Sequence, residues 1–301
     1  MANEYHDPVL LQACLEGLNI RPESVLVDVT FGGGGHSRAI LDRLGPKGRL
    51  IAFDRDRDAW KNTIDDPRLT LVRSDFRWLR NHLRYLDVLP VDGLLADLGV
   101  SSHQFDTGAR GFSFRFDGPL DMRMDHRAKR SAAQLLCDLD EATLTSVLRK
   151  YGEVDGAHRV ARQLAKVNAT DRITTTFQLV EALRPVTPRG KEHSFLAQVF
   201  QALRIAVNDE LASLESLLTQ SAEVIATGGR LVVMSYHSLE DRLVKNWMRS
   251  GDLGGEETKD VFGNRHRPFD PSSNRAIQPT DLEIAKNPRA RSARLRIATR
   301  T

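Results

Sequence analysis

The chain has 301 residues, of which 41% are hydrophobic and 28% are charged, and its formal net charge at pH 7 is +3. This composition is typical of a globular protein with one large or two ordinary domains, and it excludes a disordered chain. Neither of the two cysteines, Cys14 and Cys137, belongs to a CxxC pair, so we expect a reducing compartment and no metal. The N-terminus lacks a signal-peptide pattern and no apolar run is long enough to cross a membrane, which predicts a soluble, cytoplasmic protein without membrane contact.

Strand-like and helix-like patterns alternate in the first third of the chain. The strand candidates are residues 25–29, 49–54, 69–75 and 91–99, and the helix candidates between them are 37–44, 59–64 and 78–86. Strand patterns return only at 228–236 and 293–300. Alternation with short connections favours an α/β fold with a mainly parallel sheet covered by helices on both faces.

The middle of the chain departs from this alternation. Residues 106–130 are rich in Gly, Asp and Arg and have the character of a loop, whereas residues 131–206 show helical periodicity. The last helical pattern begins at Ser194 and continues to Leu218, which predicts one long helix. We therefore predict one α/β domain formed by residues 1–106 and 206–301, interrupted by a helical insertion at 107–205.

Four consecutive glycines, 32–35, follow the first strand candidate and precede His36 and Ser37. Glycine adopts positive φ angles and lets a ligand approach the backbone closely, so this turn predicts a cofactor loop. The dinucleotide fingerprint GxGxxG requires a glycine where Ser37 stands, and a phosphate-binding P-loop requires a lysine that is absent here. The loop thus fits a cofactor without a pyrophosphate better than either of these.

Three side chains at the ends of the next strand candidates narrow the choice of cofactor. Asp54 lies twenty residues after Gly34, where a carboxylate accepts hydrogen bonds from ribose hydroxyls. Phe76 offers an apolar ring to an adenine, and Asp97 offers a carboxylate to a cationic amine. An acid at the fourth strand would repel a pyrophosphate, so we favour S-adenosylmethionine over a dinucleotide. Each position taken alone has a structural alternative. For Asp54 and Asp75 it is a helix cap, and for Phe76 it is a buried core residue.

The chain resembles the bacterial small-subunit rRNA (cytosine-N4)-methyltransferases of the MraW type. The motifs that carry this resemblance extend from one end of the chain to the other and include HDPVLL (6–11), DVTFGGGGHS (28–37), GPLDMRMD (118–125), YHSLEDR (236–242) and NPRARS (287–292). The combination of the last three is far more specific than the glycine run. The resemblance implies a class I S-adenosylmethionine-dependent methyltransferase fold, a Rossmann-like sheet with an inserted helical domain. It also implies N4-methylation of a cytidine in the decoding region of 16S rRNA, within the small ribosomal subunit.

The resemblance also assigns cofactor contacts to seven positions. These are Gly34, Gly35, His36, Asp54, Phe76, Asp97 and Gln104. The chemistry of the residues supports five of them independently, whereas His36 and Gln104 depend on the resemblance. The insertion is expected to bind the RNA substrate, and the sequence leaves the oligomeric state open, a homodimer included.

The group that accepts the proton of the cytosine amine is not determined by the sequence. Many amino-methyltransferases carry Asp-Pro-Pro-Tyr at the fourth strand, and here Asp97 is followed by Leu-Gly-Val-Ser-Ser. The candidates are the backbone carbonyls after Asp97, together with Ser101, Ser102, Ser235 and His237. For His237 the alternative is structural, because Ser238 and Asp241 have the spacing of a helix capping box.

The distribution of charge points to a polyanion. Six basic residues lie between Lys286 and Arg300 without an acid among them, and Arg110, Arg115 and Arg123 lie in the loop that precedes the helical region. We expect these arginines to contact RNA phosphates. Three other functions remain open at this level: a nicotinamide-dependent oxidoreductase, a methyltransferase for a small molecule, and a ribosome-assembly or RNA-binding factor with a retained S-adenosylmethionine pocket.

Overall fold

A computed structural model of the chain describes residues 8–257 and 267–301. The first two residues of the HDPVLL motif, His6 and Asp7, lie outside the described residues. The strands are β1 (Val25–Asp28), β2 (Arg49–Phe53), β3 (Leu69–Val72), β4 (Val91–Asp97), β5 (Ile225–Ser235), β6 (Phe269–Pro271) and β7 (Arg294–Arg300). The helices are α1 (Leu11–Leu18), α2 (Gly35–Leu41), α3 (Leu79–Tyr85), α4 (Ser102–Asp106), α5 (Ala132–Asp138), α6 (Glu141–Gly152), α7 (Ala157–Thr170), α8 (Thr176–Leu183), α9 (Glu192–Asn208), α10 (Glu210–Val224), α11 (Ser238–Ser250) and α12 (Asp281–Lys286). Short 3-10 helices span Ala59–Asn62, Phe76–Trp78, Gly108–Arg110, Arg184–Val186 and Pro288–Ser292.

The strands form one seven-stranded sheet in the order β3-β2-β1-β4-β5-β7-β6. The first five strands in this order are parallel, and β7 pairs antiparallel with both β5 and β6. The order is that of the Rossmann fold over β3-β2-β1-β4-β5, with an antiparallel strand beyond β5. The predicted mixed α/β class with a Rossmann-like sheet is therefore confirmed.

Each strand prediction falls on an observed strand, because the strands are short apolar runs that helices cover on both faces. One face of the sheet packs with Leu79 and Leu83 of α3 and Leu217 of α10, and the other packs with Leu18 of α1 and Ile40 of α2. The sequence patterns did not predict β6. That strand has three residues and ends in a proline, so it is too short to show a period.

The single long helix predicted from Ser194 onward is wrong, because the chain breaks at Asp209 into α9 and α10. Asp209 has φ 48° and is the C-terminal cap of α9, where its N–H donates to Ile205. The side chain of Asn208 accepts from the N–H of Met124 and donates to the carbonyl of Met122, at 2.7 Å in both cases. Apolar periodicity continues through the break, so the pattern alone does not reveal it.

The chain divides into two compact units. The first comprises the residues up to Gly99 and from Leu211 onward, and the second comprises Val100–Glu210. The sequence places the ends of the insertion at 107 and 205, whereas in the structure α4 and the end of α9 also belong to the helical unit. That unit has a core of its own, built from α5 to α9 around residues such as Leu148, Leu179 and Val199. Among the described residues, none of the helices combines the length and the apolar character needed to cross a bilayer.

Candidate cofactor site

The carboxyl ends of the parallel strands bring four chemically different groups to one edge of the sheet. Phe76 follows β3, Asp54 follows β2, the glycines 32–35 follow β1, and Asp97 ends β4. Since these strands are neighbours in the order β3-β2-β1-β4, the groups follow one another along the edge in the same sequence. With strands about 4.8 Å apart, Asp54 and Asp97 belong to strands separated by about 10 Å.

The glycine loop has the geometry of a close backbone turn. Gly34 has φ 77° and caps the N-terminus of α2, a conformation that L-residues with a side chain rarely adopt. A Cβ atom on Gly34 would lie 3.1 Å from the ring of Phe31, and one on Gly35 would lie 2.5 Å from Cγ of Pro8. Neither position therefore accommodates a larger residue without movement of its neighbours.

Asp28 connects the glycine loop to the neighbouring elements through hydrogen bonds. Its side chain is buried, with Oδ2 accepting from the Ser37 hydroxyl at 2.7 Å and Oδ1 accepting from the N–H of Thr30 at 3.0 Å. The hydroxyl of Thr30 in turn accepts from the N–H of Asp97 at 2.7 Å. This acid therefore ties the ends of β1, α2 and β4 together.

Asp54 is oriented by the backbone around it. Oδ2 accepts from the N–H of Gly32 and Oδ1 from the N–H of Asp56, both at 2.8 Å. Burial raises the pKa of Asp54 to about 6, although the two N–H groups act in the opposite direction. Each carboxylate oxygen has a second lone pair, so the group retains acceptor capacity for a diol.

The turn that carries Phe76 is fixed by the residue before it. Asp75 Oδ1 accepts from the N–H of Arg77 at 2.8 Å, so this acid caps the short 3-10 helix, as the capping alternative at this position predicts. Its Oδ2 lies 2.8 Å from Nη1 of Arg55, in the loop that follows Asp54. The ion pair joins the ends of β2 and β3, and Phe76 itself is half-buried against the core.

Asp97 lies between a tyrosine and a histidine. The Tyr236 hydroxyl donates to its Oδ1 at 2.9 Å, and Nδ1 of His36 lies 3.8 Å from its Oδ2. Burial raises the pKa of Asp97 to about 6, against the lowering effects of His36 and Tyr236, while the charges of Asp28 and Glu240 raise it further. Its side chain is nevertheless 25% exposed, so a ligand can reach it.

Tyr236 is the residue that the sequence-based reasoning missed. It follows β5 directly, and β5 is the neighbour of β4, so its hydroxyl reaches the end of the adjacent strand. The available signal was an aromatic hydroxyl at the end of a parallel strand, at the same edge as the acids.

The remaining predicted site residues are held by local structure. Ser102 is the first residue of α4, and Gln104 forms a capping box with Ser101, in which Oε1 of Gln104 accepts from the N–H of Ser101 at 3.0 Å. Both belong to the helical unit. The hydroxyl of Ser235 is buried and donates to the carbonyl of Arg294 at 3.4 Å.

His237 begins a helix, as the structural alternative predicts, but the capping residue differs. The sequence suggests a box between Ser238 and Asp241, whereas the cap is His237, whose Nδ1 accepts from the N–H of Glu240 at 3.4 Å. Glu240 Oε2 accepts from the N–H of Tyr236 at 2.9 Å, which completes the cap. The reason is that Asp241 binds two arginines of β7 instead.

Several arginines expected to hold phosphates have partners inside the chain. Asp241 accepts from Nε of Arg296 at 2.7 Å and from Nη1 of Arg294 at 3.1 Å. Arg123 forms a bidentate pair with Asp121, and Arg110 is buried and donates to the carbonyl of Arg123. Asp241 and Asp121 therefore compensate the charges of Arg294, Arg296 and Arg123, while Arg110 is buried and donates to a backbone carbonyl. Contact of these arginines with RNA phosphates stays a prediction.

Comparison with known proteins identifies the family. Residues 3–301 match the model of a family described as the MraW methylase family.

The chain belongs to the MraW methylase family.

Its relatives in this family align over nearly their whole length. The chain is 54% identical over 295 residues to a protein of Parabacteroides distasonis named ribosomal RNA small subunit methyltransferase H, and the alignment covers 98% of this chain and 97% of that protein. A protein of Cytophaga hutchinsonii with the same name is 53% identical, with 98% of this chain and 99% of that protein covered. The resemblance stated from the motifs is confirmed, and the oxidoreductase alternative is excluded. As a MraW methylase the chain is a methyltransferase, and its cofactor is S-adenosylmethionine.

The edge of the sheet fits this cofactor. The order of an apolar ring, a diol acceptor, a glycine turn and a carboxylate corresponds to the order of adenine, ribose, sulfonium arm and ammonium group along S-adenosylmethionine. The buried Nε2 of His36 has no hydrogen-bond partner within the described residues, and a buried polar atom of this kind calls for a ligand or water. The assignment of the individual contacts remains a proposal.

Proposed function

We propose that this MraW methylase transfers a methyl group from S-adenosylmethionine to the N4 amine of a cytidine in the decoding region of 16S rRNA, within the small ribosomal subunit in the cytoplasm. The support for RNA as substrate comes from relatives that share about half of their residues with this chain and are named as methyltransferases of small-subunit rRNA. The observation that carries the site is the order of Phe76, Asp54, the glycine loop and Asp97 along the sheet edge.

We assign the cofactor contacts by the chemistry of each group. Phe76 packs on the adenine, Asp54 accepts from the ribose hydroxyls, and the tight turn at Gly34 and Gly35 places its backbone beside the sulfonium arm. Asp97 binds the ammonium group, and the unpartnered nitrogen of His36 and the side chain of Gln104 complete the set. When bound, S-adenosylmethionine supplies an electrophilic methyl group on a sulfonium sulfur.

The protein's part in the reaction is to place the amine and to accept its proton. A cytosine amine is a weak nucleophile, because its lone pair is delocalised into the ring, so in-line placement and an oxygen acceptor are the effects that help. His237 is poorly suited as the acceptor, since its Nδ1 lone pair takes the N–H of Glu240 and the neutral ring has only one acceptor nitrogen. The backbone carbonyls after Asp97 and the hydroxyls of Ser101, Ser102 and Ser235 remain the candidates.

Methyl transfer to small ribosomal subunits tests the proposal directly. Subunits are isolated from cells that lack the gene and incubated with the protein and labelled S-adenosylmethionine, and the RNA is then digested to nucleosides and identified by mass. The expected product is N4-methylcytidine. Label in another nucleoside, or in protein, would contradict the assigned substrate.

Two variants separate catalysis from a purely structural role in ribosome assembly. Asp97→Asn should abolish label transfer and weaken cofactor binding, whereas Arg49→Gln, an exposed change at the start of β2, should affect neither. If Asp97→Asn restores growth or subunit maturation in cells lacking the gene as well as the wild type does, the assembly-factor alternative is favoured.

A further inference from the structure

The solvent-facing side of α3 exposes two aromatic side chains, and we call the surface formed by Trp78, Arg84 and Tyr85 the strip. Trp78, the residue that precedes α3, is 54% exposed and Tyr85, its last residue, is 87% exposed. They are seven residues apart, so they lie on the same side of the helix, about 10 Å from each other along its axis. Leu79 and Leu83 on the opposite side are buried in the core of the sheet domain. The helix is therefore anchored by its apolar side and presents the aromatic side to solvent.

The same strip carries positive charge without any acid. Residues 76–86 contain Arg77, Arg80 and Arg84 and neither Asp nor Glu. Arg80 pairs with Glu223 at 2.7 Å, and Arg77 lies 3.6 Å from Asp75. Arg84 is exposed and has no ion pair within the described residues. An uncompensated arginine beside exposed aromatic rings is the combination that proteins use to hold single-stranded nucleic acid.

The position of the strip connects it to the cofactor site. Trp78 ends the 3-10 helix that begins at Phe76, so the strip starts at the sheet edge where the cofactor contacts lie and continues for two helical turns. A strand of RNA whose target nucleotide lies at that edge can therefore continue along α3.

We infer that Trp78, Arg84 and Tyr85 bind a single-stranded segment of the RNA substrate outside the target nucleotide. The two rings stack on unpaired bases, and the guanidinium of Arg84 contacts a phosphate. Stacking of this kind tolerates any base, so the strip contributes affinity and direction without reading sequence. The inference rests on the proposed function, because it takes RNA as the substrate.

A duplex fits the strip less well than a single strand, because paired bases offer their faces only at the ends of the helix. Exposed Trp, Tyr and Arg are also enriched at protein interfaces, so contact with a second copy of the chain is one of the outcomes that the test below distinguishes.

Binding of a fluorescein-labelled single-stranded oligouridylate of 12 nucleotides, measured by anisotropy, tests the inference. Trp78→Ala and Tyr85→Ala should each weaken binding about fivefold or more, whereas Trp78→Phe and Tyr85→Phe, which keep a ring, should stay close to the wild type. Arg84→Gln should reduce the slope of log affinity against log salt by about 0.7, and Arg49→Gln at the opposite edge of the sheet should not. S-adenosylhomocysteine affinity serves as the check that each variant is folded.

The same variants are then assayed on small ribosomal subunits. We expect KM for the subunits to rise in Trp78→Ala and Tyr85→Ala while kcat is retained. If the wild type methylates subunits and the two alanine variants keep its oligouridylate affinity and its KM, the inference is overturned. The proposed function would then stand. Failure of the wild type to label RNA would count against the proposed function instead. A change in sedimentation mass in Trp78→Ala without a change in RNA affinity would show that the strip contacts a second copy of the chain, which also overturns the inference.

Discussion

The hydroxyl of Tyr236 donates to Oδ1 of Asp97 at 2.9 Å and so joins the end of β5 to the end of β4. Asp97 is thereby held by a neutral donor on one side, while His36 lies on the other side at 3.8 Å. A hydrogen bond to the ionised carboxylate favours the charged form, which is the form that can bind an ammonium group. The charges of Asp28 and Glu240 also act on Asp97, and both raise its pKa.

Removal of the tyrosine hydroxyl should shift the pH dependence of cofactor binding. In Tyr236→Phe the pKa of Asp97 should rise above its present value of about 6, because a donor to the charged form is lost. At pH 7 we expect S-adenosylhomocysteine affinity to fall about tenfold, which corresponds to one hydrogen bond to a charged group. Calorimetric titration between pH 5.5 and 8.5 checks both expectations. A uniform loss at every pH, without movement of the midpoint, would show that Tyr236 acts only by packing.

Cofactor binding in the wild type should weaken as the pH falls through about 6. Burial raises the pKa of both Asp54 and Asp97 to about 6, so acidification neutralises the acceptors of the ribose and the ammonium group. The stability of the cofactor-free protein depends on pH in the opposite direction. A raised folded-state pKa favours folding at low pH, and this contribution is lost as the pH rises through 6. The increase in Tm caused by S-adenosylhomocysteine should therefore grow from pH 5 to pH 7. Asp97→Asn should flatten this dependence, and an increase of equal size at all pH values would contradict it.

Alanine at Gly34 should separate backbone strain from cofactor binding. Gly34 and Gly228 have φ 77° and 83°, so Gly34→Ala and Gly228→Ala should each lower the free energy of unfolding by about 1 to 2 kcal/mol. A Cβ atom at position 228 meets nothing within 4 Å, whereas one at position 34 crowds Phe31 in the cofactor loop. Only Gly34→Ala should also weaken S-adenosylhomocysteine binding. Chemical denaturation and calorimetry measure the two quantities, and equal affinities in the two variants would argue against the loop as the cofactor cradle.

Loss of the Asp75 carboxylate should loosen the Phe76 turn. In Asp75→Asn the pair with Arg55 at 2.8 Å is lost, and both side chains are largely buried, so we expect a clear drop in Tm together with a higher KM for S-adenosylmethionine. The matched control is Arg21→Gln, which removes an ion pair to Asp92 from the surface and should change the free energy of unfolding by less than about 1 kcal/mol. If KM is unchanged in Asp75→Asn, the ion pair does not position Phe76.

The sequence by itself determined the sheet and the kind of group at the end of each parallel strand. Apolar runs that end in Asp28, Asp54 and Asp97 are local signals, and the strand order then brings such residues to one edge whatever the details of packing. The family followed from motifs spread over the whole chain.

Only the tertiary structure decided which polar side chains pair with each other across different helices and strands. The pairing of Tyr236 with Asp97 and of Asp241 with Arg294 and Arg296 joins segments far apart in the chain, and neither leaves a periodic trace in the sequence. The break of the long helix at Asp209 likewise depends on Asn208 bonding to the backbone of a distant loop. Local patterns report propensity and burial, whereas the partner of a polar group is set by the fold that brings the two together.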